Sequence, residues 1–344
     1  MNWFVWRQHR KQFLVFGILL AVFAALLIPT GNHYWHLYQQ ALVNCAQHPA
    51  VYSCSDLSDT LFTAPSDGLI RIGEVLGTFG LPLLVGLFIG SPLLAKEYEE
   101  GTNKLAWTQS VSRRKWLTTK LAWALGFALL YGIAVTLLAT WWSRTINTVA
   151  LNRFVQGHFE TQGLMPVAYS VFFTAVGFMM SAWFRKTLLA LAITFGVFVL
   201  CMASFANWVR PHYMTPVTVT APMGPNDLEG KIPTNGAWVL SRNIVDKNGK
   251  AIGDIFPSAP SQCQQIIQQA EVPGSHGHAF KAAPSPNGGD PIDDCLNKAG
   301  FHQIAKYQPA YRYWDFQRIE AGIYLGATAV AVAATYLLVL KRDA

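Results

Sequence analysis

Six long apolar runs constrain this chain more than any other feature: residues 13–28, 72–95, 121–142, 164–184, 187–206 and 316–340. Runs of roughly 18 or more such residues match the ~30 Å hydrocarbon core of a bilayer rather than the interior of a soluble domain. The first is somewhat short, and Glu74 interrupts the second near one end. In lipid a segment must satisfy its backbone polar groups within itself, so each run is expected to be a helix. Composition agrees, since 52% of the 344 residues are hydrophobic and only 13% are charged. The expected fold class is an all-α polytopic membrane protein with six transmembrane helices.

The first run follows a basic stretch, MNWFVWRQHRKQ, as the apolar core of a signal peptide would. Its far end, LLIPTGNHYW, lacks a small-x-small cleavage site and a polytopic body follows, so it reads as a retained helix. Lys and Arg in the short connections set orientation. With the N-terminus cytoplasmic, Arg7, Arg10, Lys11, Lys96, Lys104, Arg113, Arg114, Lys115, Lys120, Arg185, Lys186, Lys341 and Arg342 all lie inside. Residues 31–67, placed outside, contain no Lys or Arg. Both termini are therefore expected in the cytoplasm. Cys45 and Cys54 then share one outside segment and Cys263 and Cys295 another, which suits two disulfides in an oxidising compartment. The alternative is small apolar thiols.

This organisation divides into a membrane part, 1–206, an extracytoplasmic domain, 207–314, and a sixth helix with a cytoplasmic tail, 315–344. Residues 2–11 form an amphipathic lead-in, Trp3, Phe4 and Trp6 preceding Arg7, Arg10 and Lys11; they suit the inner headgroup region or simple anchoring of the first helix. The second run carries Gly86 and Gly90 at i and i+4, a spacing that lets helices approach closely, and Pro82 and Pro92, which should kink or open it. The outer domain is expected to be small and α+β. WVLSRNIVDKNGKAIGDIF reads as a hairpin turning at Asn248–Gly249. PSQCQQIIQQA and DPIDDCLNKAG read as short helices, the second with Asp290 as N-cap and Gly300 as stop. Each holds one cysteine, so a Cys263–Cys295 bridge would staple them together.

No G-x-x-x-x-G-K-[ST] phosphate loop occurs, nor G-x-S-x-G, H-E-x-x-H or C-x-x-C. His276 and His278 in a Gly-rich stretch are too few for a metal site, and no metal is expected. Asp293 and Asp294 are adjacent and point different ways on a helix. Arg71 with Glu74, and Asp315 with Arg318 and Glu320, lie at helix ends and are expected to pair locally at the interface. Any energy input is expected from a partner, and no nucleic-acid partner is expected.

Residues 96–118 contain the dense charged block KEYEEGTNKLAWTQSVSRRKW between two apolar runs. Gly101 should break the helix and Thr102 cap a new one, with Leu105 and Trp107 as its apolar side. Arg113, Arg114 and Lys115 suit anionic headgroups at about 1 kcal/mol each. Glu97, Glu99 and Glu100 are repelled there unless a partner receives them; the alternative is a solvated loop.

EYEEGTNKLAWTQSVSRRKWLTTKL resembles the cytoplasmic coupling segment of type-2 ABC exporter permeases, in which E-x-x-x-G-T precedes S-R and a Lys. LMPVAYSVFFTAVGFMMSAWFRKTLLALAITFGVF is similar to that family's fourth-and-fifth-helix hairpin, and YQPAYRYWDFQRIEAG to the approach to its last helix, as in permeases common in actinobacteria. The resemblance implies a multi-pass permease subunit of the bacterial plasma membrane, of the multidrug or antibiotic exporter type. It implies pairing with a second permease, as a homodimer, and with a cytoplasmic ATPase; ATP and Mg would bind that ATPase, with no cofactor in this chain. Glu97, Glu99, Glu100, Gly101, Thr102, Leu105, Trp107, Arg113 and Arg114 would be the ATPase-coupling residues. Leu84, Phe88, Phe195, Phe198 and Met202 would line a pathway for hydrophobic or amphipathic cargo such as drugs, antibiotics, lipids or peptides, unless they are lipid-facing or packing side chains. The contrasting expectation is a polytopic membrane enzyme or envelope sensor whose outer domain carries the activity.

Overall fold

The computed structural model describes residues 2–47, 72, 76–102, 112–149, 153–223, 236–252, 259–270 and 291–342. Among these, six helices are long and apolar enough to cross a membrane: Arg10–Gln47, Leu81–Glu99, Arg113–Arg144, Met165–Phe184, Thr187–His212 and Ala310–Lys341, called here the first to sixth spans. The chain separates into two compact units. The first comprises Met1–Ala150, Val155–Tyr213 and Trp314–Ala344; the second comprises Leu151–Phe154 and Met214–Tyr313.

In the first unit, the lead-in and the first span are one helix, Asn2–Gln47, with Pro29 inside it. At ~1.5 Å per residue its 46 residues reach about 69 Å, more than twice the bilayer core. Beside Pro29, the Thr30 hydroxyl donates back to the Leu26 carbonyl at 2.7 Å and accepts from Trp142 Nε1 of the third span at 3.1 Å. The Trp142 bond ties the first span to the third beside the proline.

The second span alternates between wide and regular turns. Pro82 and Pro92 each begin an α-helical stretch, Leu81–Val85 and Pro92–Glu99, and each follows a π-helical turn, Leu76–Gly80 and Gly86–Gly90. A proline has no N–H to offer the carbonyl four residues back. For Pro92 that carbonyl is Phe88, and Gln12 Nε2 of the first span donates to it at 3.3 Å. The wide turn also brings the second and fourth spans to backbone contact. A Cβ on Gly86 would lie 2.8 Å from the Phe173 backbone carbon, and one on Gly177 would lie 2.8 Å from both Gly86 O and Ser91 N. The Ser181 hydroxyl donates to the Ser91 carbonyl across the same contact.

The fourth span is the most enclosed, with Tyr169, Phe173, Ala175 and Phe178 sealed from solvent. Phe16, Phe23 and Leu27 of the first span pack with Val85, Ile89, Leu121 and Ala128 in the main core. Large apolar side chains on the first, third, fifth and sixth spans instead face outward, among them Leu14, Leu130, Leu188 and Val330, as a lipid solvent favours.

The second unit holds an antiparallel sheet of strands β1 (Val217–Pro222), β2 (Trp238–Val245), β3 (Ala251–Ile252) and β4 (His302–Gln308), in the order β1-β4-β2-β3. β2 and β3 form the expected hairpin, with Ile244 opposite Ile252 and Gly249 at φ +79° in the turn. β1 and β4 pair across some eighty residues of chain; the Val–Thr alternation of β1 is a strand signal, but nothing local names its partner. The helices Ser261–Ala270 and Pro291–Lys298 are joined by a Cys263–Cys295 disulfide, Cα to Cα 5.7 Å, over a core of Met223, Leu296 and Phe301. Asn297 fastens this core by accepting from the Met223 N–H and donating to the Met223 carbonyl. Phe154 stacks on Trp238 with ring centroids 5.6 Å apart. Cys54, the proposed partner of Cys45, and Asp290, Arg71, Glu74, His276 and His278 lie outside the described residues.

Candidate functional site

The charged block begins on the last turns of the second span. Pro92–Glu99 is a helix whose buried face includes Leu93, Leu94, Ala95 and Glu97. It ends at Gly101, whose φ of +69° is the left-handed conformation that terminates helices and suits glycine. The third span starts with Arg113, its first turn capped by Ser112, whose hydroxyl accepts from the Lys115 N–H at 3.3 Å.

Each of the three carboxylates has a receiver within the chain. Glu97 forms an ion pair with Lys120 of the third span, both side chains being almost wholly enclosed. Lys120 Nζ also lies 3.4 Å from the Leu93 carbonyl and 5.2 Å from the centroid of the Trp116 ring. Glu99 accepts from the Thr187 N–H at 2.9 Å and from the Thr187 hydroxyl at 2.7 Å, at the first turn of the fifth span. Glu100 lies 3.7 Å from Lys96 on an exposed surface. Between the two buried or capping acids, Tyr98 carries the Arg185 guanidinium 5.0 Å from its ring centroid. Sequence reasoning sought the receiver of Glu97 and Glu99 in another protein. Lys120 and Thr187 fill that place because the third and fifth spans begin at the same end of the bundle as the second span finishes.

Gly101 and Thr102 are half-buried, Arg113 is half-buried and Arg114 exposed; Leu105 and Trp107 lie outside the described residues. Among the residues assigned to a pathway, Leu84 is half-buried, Phe88 and Phe195 are each 50% exposed, and Phe198 and Met202 are turned inward. Phe198 packs edge-on against Phe173 of the fourth span at 5.0 Å.

A second polar cluster lies at the opposite end of the spans. Arg210, in the turn that closes the fifth span, is completely enclosed. Its Nε donates to Glu320 Oε2 at 2.9 Å and its Nη2 to Glu320 Oε1 at 3.0 Å, while Nη2 also reaches Glu160 Oε1 at 2.6 Å. Tyr169 and Tyr213 donate to the two oxygens of Glu320 at 3.0 and 3.1 Å, and the Gly157 N–H donates to Glu160 at 2.6 Å. The guanidinium carbon stands 3.8 Å from the centroid of the Phe159 ring. This corrects the local pairing expected of Glu320. Asp315 and Arg318 do pair, at 3.2 Å, but Glu320 is rotated away from them around the helix and faces the interior. The signal available in the sequence was a lone Glu inside an apolar run and a lone Arg at the end of another, each of which must find a partner in lipid. Nothing local said that they would find each other.

Among the described residues, six helices long and apolar enough to cross a membrane, with buried ion pairs near their ends, define a multi-pass membrane protein. A family model described as ABC-2 membrane transporter related matches residues 17–210, and the chain belongs to that family. The match runs from the first span to Arg210 and includes the whole charged block; the second unit beyond Met214 and the sixth span lie outside it. Permeases of this family are transport subunits that generally work with a cytoplasmic ATPase. No curated protein and no solved structure matches the chain.

Proposed function

We propose that this chain is the membrane permease of an ATP-driven exporter that moves hydrophobic or amphipathic small molecules across the plasma membrane of a bacterium, working as a homodimer with a separate cytoplasmic ATPase. The observation that carries this reading is the family match over residues 17–210, which contains the second to fourth spans, most of the fifth and the charged block between the second and third. The distribution of charge supports the orientation: Lys96, Arg113, Arg114, Arg185, Lys186 and Lys341 lie at the connections on one end of the six spans, the end assigned to the cytoplasm. The segment beyond Gly101 is the part left to meet an ATPase, since Glu97 and Glu99 are engaged within the chain. Exposed aromatic side chains on the second and fifth spans, Phe88 and Phe195, suit apolar cargo entering from the membrane.

The test is purification of the tagged full chain from its own membranes, followed by ATP hydrolysis measurements on the eluate and accumulation of a panel of fluorescent lipophilic amines in inverted vesicles. An ATPase in stoichiometric amount, with uptake that needs ATP, is the expected result. Absence of any ATPase from the purified material overturns the proposal.

A further inference from the structure

Three consecutive residues at the end of the second span hold three different elements. Successive helical positions are turned by about 100°, so neighbouring side chains fan out rather than share a face. Glu97 faces the third span and pairs with Lys120. Tyr98 faces the fourth-to-fifth connection and carries Arg185, which closes the fourth span at φ +56°. Glu99 faces the fifth span, where it takes both the N–H and the hydroxyl of Thr187. The residue preceding Thr187 is Lys186, which provides no side-chain cap, so the first turn of the fifth span is capped from the second. A carboxylate at a helix N-terminus is also favoured by the helix dipole. Two residues further on, Gly101 ends the helix and the charged block continues.

We propose that Glu97, Tyr98 and Glu99 are positioning residues that carry movement of the segment beyond Gly101 into the third and fifth spans together, the Glu99–Thr187 link steering the fifth. This rests on the permease reading above. It differs from a partner-facing role for the same acids: they transmit a push received further along the chain. The clamp is made of unlike links. The Glu97–Lys120 pair to the third span is enclosed, whereas the Glu99–Thr187 cap to the fifth is open to solvent and can be broken and remade. A stroke reaching Glu99 is therefore delivered to the first turn of the fifth span.

The test uses the full chain purified with its ATPase in lipid nanodiscs, in a Cys201→Ala background. Spin labels at the outward-facing positions Leu200 and Val330 report the distance between the fifth and sixth spans. Addition of ATP, Mg and vanadate is expected to shift that distance in the wild type. Glu99→Ala should abolish most of the shift while the ATPase stays bound; Thr187→Val, which keeps the backbone N–H bond to Glu99, should lose part of it, and the double variant should be no worse than Glu99→Ala alone. Thr187→Ser, which retains the hydroxyl, should restore it. A full shift in Glu99→Ala, additive losses, or a wild-type complex that binds its ATPase without any shift would overturn the proposal. Loss of the ATPase from the Glu99→Ala complex would also overturn it, by showing that Glu99 faces the partner, and would leave the permease reading intact. A wild type that retains no ATPase removes both.

Discussion

Arg210 and Glu320 meet through two parallel hydrogen bonds, Nε to Oε2 at 2.9 Å and Nη2 to Oε1 at 3.0 Å, with neither side chain reaching solvent. The pair ties the end of the fifth span to the sixth, and Tyr169 adds the fourth through the same carboxylate. A guanidinium is suited to this place because it offers parallel N–H groups and still has Nη2 for Glu160.

Removing the guanidinium leaves two enclosed carboxylates without a counter-charge. Arg210→Met is therefore expected to destabilise the membrane unit by about 3–5 kcal/mol, the range for breaking a buried pair from one side. Arg210→Lys should recover little, because an ammonium cannot make the parallel contacts. Adding Glu320→Gln to Arg210→Met should recover part of the loss by removing one stranded charge. Thermal unfolding in detergent, followed by size-exclusion chromatography, checks the order wild type, double variant, single variant.

The contact between the second and fourth spans makes a sharper steric prediction. A methyl group on Gly177 would meet Gly86 O and Ser91 N at 2.8 Å, and neither is the end of a flexible side chain. Gly177→Ala should cost about 1–3 kcal/mol, the usual penalty for overpacking. Gly126→Ala on the third span meets nothing within 4 Å and, with alanine the better helix former, should be neutral or stabilising. The same unfolding assay on both variants decides it; equal effects would mean that the close approach is not maintained.

The sequence made some of this legible and hid the rest for identifiable reasons. Helices in lipid announce themselves by length, so the six runs pointed to six spans. The β2–β3 hairpin was readable because Asn248–Gly249 is a local turn signal, and the helix Pro291–Lys298 because Pro291 in its first turn and Gly300 beyond its end mark it. The pairing of β1 with β4 was not readable: VTVT alternates as a strand does, but each strand acquires its partner from far along the chain. The prolines of the second span foretold an opening, but the wide turns also depend on Gly86 and Gly90 lying against the fourth span, which is a tertiary fact. At the charged block, the need of Glu97 for a counter-charge was correct physics. Its source, Lys120, had been counted only as one of several cations on that side of the membrane.

Asp246 provides a pH dependence with a definite sign. The backbone N–H groups of Lys250, at 2.9 Å, and Asn248, at 2.8 Å, donate to its carboxylate and hold it below the ordinary aspartate range. A depressed folded value stabilises the turn at pH above the unfolded value, about 3.9, and the contribution disappears as pH falls through the lower folded value. Amide exchange at Asn248 and Lys250 should therefore show full protection at pH 6 and lose it below about pH 4. Asp246→Ala should be less protected at pH 6 and show no such transition.

The Cys263–Cys295 bridge closes a separation of 32 residues, which by loop-closure entropy corresponds to about 4 kcal/mol at 25 °C. The helix Pro291–Lys298 sets Ile292 and Leu296 against the core with Met223 and Phe301, and the bridge and the Asn297–Met223 bonds fasten it there. Among the described residues of this unit, trypsin applied to membranes should cut first after Lys247 and Lys250, in and beside the exposed turn. Cutting after Lys298, at the end of the stapled helix, and after Lys306, within β4, should require prior reduction. Cys263→Ser should show the reduced pattern without a reductant. If the cleavage pattern is the same with and without reductant, the sheet and Asn297 hold the helix by themselves, and the bridge only limits how far the chain can open.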